Sequence, residues 1–231
     1  AYSKLSISNG VIVCPDDAAS NIKTGIANYG ELNLNNVELK SGALTIYTIN
    51  NRGKLTLSGK TSVENGKVEQ TSGKGDYIAI TNDPYNLYYT TNVDAALICD
   101  SADVSVGTVQ IERYERTSSN KGVVKLDISN GTFDRIIEDG NSSVNVSYDL
   151  TGGTIGVYND SELKNALDMI TPGAEYTCPE KAVTIKLMGD GTFAHGFDVG
   201  TSNGKAPKNI ALDLNGKSLT LNPAVGSVGT V

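Results

Sequence analysis

The sequence predicts an all-β chain, a right-handed parallel β-helix with one short capping α-helix near 161–170. Three observations lead there. Short apolar-polar-apolar segments recur along the chain, most of them closed by Asn or Gly. One form of that segment echoes at intervals of 20–27 residues. The composition is turn-rich, with 25 Gly, 2 Met, 1 His and no Trp in 231 residues.

The strand segments come first. Leu5-Ser6-Ile7, Leu32-Asn33-Leu34 and Leu55-Thr56-Leu57 open the series. Leu126-Asp127-Ile128, Val146-Ser147-Tyr148 and Leu212-Asp213-Leu214 continue it. Alternation with period two puts one set of side chains on one face, the signature of a half-buried strand. Asn9-Gly10, Asn130-Gly131 and Asn215-Gly216 follow three of these segments and supply residues that tolerate positive φ, which a tight corner needs.

Spacing then selects the architecture. Leu5 to Leu32 is 27 residues, Leu32 to Leu55 is 23 and Leu126 to Val146 is 20. The 71 residues from Leu55 to Leu126 are near three such steps, and contain Ile78-Ala79-Ile80, Leu97-Ile98-Cys99 and Val104-Ser105-Val106. A period of this size marks a solenoid, in which no coil buries its apolar face alone and stacking makes the core continuous. A β-sandwich, with strands every 8–12 residues, is the rival; it would place the same triplets in antiparallel sheets.

The helix is read from Leu163, Ala166, Leu167 and Ile170, which share one face of 161–170. Ser161 or Asp160 is expected to cap its start, and Pro172-Gly173 to stop it. Such a helix suits the open end of a solenoid, where unpaired backbone would otherwise be exposed.

From Ser161 onward the chain resembles the opening region of pectate-lyase-like right-handed parallel β-helix proteins, of the kind found in secreted bacterial surface proteins and phage appendages. The residues carrying the likeness are the short helix, Pro172-Gly173, the strand Thr184-Ile185-Lys186-Leu187 and the phrase Ile210-Ala211-Leu212-Asp213-Leu214-Asn215-Gly216. Gly25-Ile26-Ala27-Asn28-Tyr29-Gly30 and Ile128-Ser129-Asn130-Gly131 resemble middle coils of the same class. The resemblance implies a fold and leaves the function open. Its order is unusual, because the opening-like piece, 158–231, follows the coil-like piece, 1–157. Three arrangements are open: tandem units, a 158–231 segment that folds back to cap the first coil, or a 158–231 segment that stacks on a neighbouring subunit. A homo-oligomer or head-to-tail assembly is therefore expected.

Chemistry is sparse. Formal net charge is −7, which disfavours nucleic acid as a partner. No apolar run is long enough for a membrane-spanning helix, so no membrane insertion is expected. Cys14, Cys99 and Cys178 are far apart and odd in number, and read as small buried hydrophobes rather than a zinc or disulfide set. No cofactor or metal is expected. The densest carboxylates are Asp94, Asp100 and Asp103, with 100–103 reading as a turn. His195 lies between aromatic residues with no nucleophile motif nearby. The most suggestive stretch holds Asp83, Tyr85, Asn86, Tyr88 and Tyr89, in which tyrosine rings could stack on a sugar or on another subunit. The expected role is a noncatalytic structural or adhesive one outside the cytoplasm, at a cell surface or in a virion, with glycan a candidate ligand. A polysaccharide lyase or glycoside hydrolase of the β-helix type is the alternative, and it would need converging carboxylates or bound calcium on one face.

Overall fold

A computed structural model describes residues 3–14, 24–40, 47–64, 77–82, 95–113, 123–138, 145–174, 177–194, 196–198, 206–222 and 228–230. The paired strands are all parallel, which removes the sandwich and gives a β-solenoid of about 5 turns.

Three faces build the stack. On the first lie the start of β1 (Lys4–Val13), the start of β3 (Glu31–Lys40), β5 (Lys54–Ser58), β8 (Ala95–Cys99), β10 (Val123–Ile128) and β12 (Asn145–Leu150). The second takes the later halves of β1 and β3, then β6 (Ser62–Val63), the start of β9 (Ser105–Arg113), the start of β11 (Thr132–Glu138), β13 (Thr154–Val157), β14 (Val183–Leu187) and β17 (Ile210–Asp213). The third takes β2 (Thr24–Asn28), β4 (Tyr47–Asn51), β7 (Tyr77–Asn82) and the later halves of β9 and β11. Two small pairs complete the described chain: β15 (Gly191–Phe193) with β18 (Leu219–Leu221), and β16 (Gly196–Asp198) with β19 (Val228–Thr230).

Register turns the sequence echo into ladders. On the first face Leu5 pairs Leu32, Leu32 pairs Leu55, Leu55 pairs Leu97, Leu97 pairs Leu126 and Leu126 pairs Tyr148. On the second, Ile12, Leu39, Val63, Val106, Phe133, Ile155, Ile185 and Leu212 form one unbroken column. The interior members from Leu39 to Ile185 are buried. Each rung lies about 4.8 Å from the next, so like stacks on like and a dry core runs the length of the rod.

Two details of the spacing are corrected. Val146 pairs Val124, and the partner of Leu126 is Tyr148. The interval from Leu55 to Leu126 holds two first-face steps, through Leu97, rather than three. Ile78, Leu97 and Val106 belong to three different faces, so the triplets in that interval mark sides of a coil and not separate coils.

Corners follow local chemistry. Asn9 and Asn36 sit at φ 60° and 55°, and Gly59 takes the equivalent place at φ 59°. Later coils use Gly131 at φ 96° and Gly153 at φ 85°. Asn tolerates this left-handed region because its short side chain bonds locally. Here Asn36 Nδ2 also donates to Asn9 Oδ1 (3.2 Å), and Lys60 N donates to Asn36 Oδ1 (2.9 Å).

The helix α1 spans Asp160–Met169, between β13 and β14. It is N-capped by Asn159, not by Ser161 or Asp160: Glu162 N donates to Asn159 Oδ1 (3.0 Å), the outer half of a capping box. Asp160 is occupied elsewhere and accepts from Ala194 N (3.1 Å). The helix packs on β11, β12, β13 and β15. It covers the edge of the third face, where β11 has no further strand partner among the described residues. The solenoid continues past it, because β14 adds to β13 and β17 to β14. The strands after the helix thus extend the stack at the end opposite β1. On the first face Ile170 bridges Leu150, and the ladder stops there among the described residues.

Candidate functional site

Asp83, Tyr85, Asn86, Tyr88 and Tyr89 lie outside the described residues, as do Asp94 and His195. Asp100 and Asp103 are exposed in the turn between β8 and β9, as the turn reading expects, and Asp100 O accepts from Asn130 Nδ2 (2.9 Å). Among the described residues no group of three or more His, Cys, Asp or Glu is placed to hold a metal ion. Among them, too, no helix is long and apolar enough to cross a membrane.

The cysteines divide. Cys14 and Cys99 are buried, as expected; Cys178 is exposed, which corrects the reading of all three as core residues. Burial pushes the Cys99 thiol up to about 11, because the thiolate would lose its hydration beneath the stacked coils. Cys178 lies in the connection between Ile170 and β14, where the period-two pattern lapses, and its Sγ faces Lys208 O at 3.8 Å.

A polar ladder inside the corner between the third and first faces was not legible as such from alternation. Asn51 is fully buried and Asn28 nearly so. Asn28 Nδ2 donates to Asn51 Oδ1 (2.7 Å) and Lys54 O (3.1 Å), while Asn51 Nδ2 donates to Ala96 O (2.8 Å). Each side-chain oxygen also takes the amide two residues on, from Gly30 (3.1 Å) and Gly53 (3.3 Å). The available signal was the repeat Asn-x-Gly in Asn28-Tyr29-Gly30 and Asn51-Arg52-Gly53. Both glycines are steric requirements: a Cβ on Gly30 would meet Ser3 O at 2.2 Å, and one on Gly53 would meet Gly30 O at 2.2 Å. Buried amides that satisfy one another rigidify a corner and hold its register.

A second polar cluster pins the helix. Glu162 is buried although charged. Its carboxylate accepts from Arg135 Nε (3.0 Å), Asn159 Nδ2 (2.9 Å) and Tyr158 N (3.0 Å), and Arg135 Nη2 adds a closer contact. The Arg135 guanidinium lies 4.7 Å from the Tyr158 ring centroid. Burial raises the Tyr158 hydroxyl above its ordinary range, helped by the Asp134 carboxylate and opposed by Arg135. At the other end of α1, Lys208 Nζ donates to Leu167 O (2.6 Å), a cation on the negative end of the helix dipole.

The remaining feature is the distribution of apolar surface. Among the described residues the exposed large hydrophobics are Leu5 (56%), Val11 (56%) and Val13 (65%) in β1, and Leu212 (37%), Leu214 (43%) and Leu221 (46%) in or beside β17 and β18, with Tyr29 and Tyr158 between in sequence. Six of these eight side chains therefore belong to the two end coils of the described stack. β1 pairs only with β3, and β17 only with β14, among the described residues. β1 is ten residues long, contains no Pro and carries one Lys. On the outer polar face Lys4 Nζ meets Glu31 Oε2 at 2.8 Å, and Asn35 Nδ2 donates to Ser58 Oγ (2.8 Å). The bond from Lys4 holds the Glu31 carboxyl below its ordinary range.

No family model, curated protein or solved structure matches the chain. The parallel β-solenoid stands on the strand pairing itself, and any closer kinship with pectate-lyase-like proteins rests on the sequence likeness alone.

Proposed function

We propose that this chain is a noncatalytic structural or adhesive β-helix that assembles with itself at a cell surface or in a virion and offers the stretch from Asp83 to Tyr89 to glycans. The observation that carries the reading is the continuous parallel stack, with exposed apolar side chains Leu5, Val11 and Val13 on β1 and Leu212, Leu214 and Leu221 in or beside β17 and β18. Between them the core is dry and continuous and the corners are locked by hydrogen-bonded amides. Stiffness along one axis is what a load-bearing or fibrous element needs. The same likeness to surface and phage β-helices supports a place outside the cytoplasm. Tyr85, Tyr88 and Tyr89, with Asp83 and Asn86, are the proposed glycan or subunit contact; tyrosine offers ring stacking with a polar tip.

Three measurements test it. Sedimentation velocity across a wide concentration range is expected to show species heavier than the 24.3 kDa chain, and a monomer throughout would overturn self-assembly. Incubation with pectin, alginate and host glycans is expected to release no product; oligosaccharide release would overturn the noncatalytic role. Replacing Tyr85, Tyr88 and Tyr89 with Ala is expected to abolish binding on a glycan array, and retained binding would remove these tyrosines from the reading.

A further inference from the structure

We draw no further inference here: the strongest candidate, the line of outward hydroxyls that runs in register from Ser62 through Ser105, Thr132 and Thr154 to Thr184 across the second face, is a stripe of small side chains on a sheet face, and nothing in the structure shows what covers it.

Discussion

Leu97 and Leu212 occupy the same kind of position, the inward member of an alternating strand in one solenoid, yet one is fully buried and the other is open to water. Leu97 has Leu55 on one side and Leu126 on the other. Leu212 has Ile185 on one side and, among the described residues, no strand partner on the other. The difference lies in the number of neighbours, not in local sequence. A rung's energetic weight in a stack is set by the rungs that flank it. Interior coils therefore carry most of the burial that holds the described stack together.

That contrast can be broken by truncation. Leu97→Ala is expected to cost about 2–5 kcal/mol in urea unfolding, since it removes a fully buried side chain and leaves a cavity its packed neighbours cannot fill. Leu212→Ala is expected to cost less than about 1 kcal/mol in the dissociated chain. Equal losses would mean that the end coil is as well packed as the middle.

The corners sharpen the same point. Gly53→Ala drives a Cβ onto the backbone of the coil beneath and is expected to destabilise by about 1–3 kcal/mol. Gly10, in the end coil, has open space within 4 Å of the point where a Cβ would stand, and no positive φ. Gly10→Ala is therefore expected to be neutral or to stabilise by about 0.4–1 kcal/mol. Thermal unfolding of the two variants side by side reads the difference.

The helix is an intermediate case. Glu162→Gln keeps the shape but removes the charge that Arg135 pairs with, leaving Arg135 about one-third exposed. A loss of about 1 kcal/mol is expected, discounted for that solvent access. Helical ellipticity falling ahead of the β signal would show α1 detaching before the stack melts.

The smallest effect separates the thiols. Cys99 has a folded-state value raised to about 11 against an ordinary value of 9.0. Its contribution is therefore intact below pH 9 and is lost as pH rises towards 11, where the unfolded thiol ionises and the buried one does not. Labelling at pH 8 is expected to modify Cys178 alone in the native protein, with Cys14 and Cys99 reacting only after unfolding. Prompt reaction at Cys99 would show that the interior coils open locally.

Most of the strand pattern was legible because alternation and corner residues act over a few positions. Leu5-Ser6-Ile7, Leu32-Asn33-Leu34 and Leu55-Thr56-Leu57 became adjacent rungs in the expected register. Counting failed because one coil can be much longer than another: Leu55 and Leu97 are neighbours on the first face although one step of 20–27 residues was expected between rungs. Asn28 and Asn51 were hidden because a polar residue in a turn carries the same signature whether it faces water or a second amide. The proposed glycan contact, Asp83 to Tyr89, was selected by composition and rests on composition still.

By itself the sequence determined what each segment is: a strand with one apolar face, a corner that accepts Asn or Gly, a ten-residue amphipathic helix. These follow from side-chain period and φ preference, which are properties of short stretches. Only the tertiary structure decided which rung is interior and which is last, that α1 covers one face edge while the stack runs on, and that Cys178 lies outside. Ile210-Ala211-Leu212-Asp213 has the same alternation as any buried strand, yet Leu212 is exposed where Leu97 is buried, a difference set by stacking neighbours that no local pattern encodes.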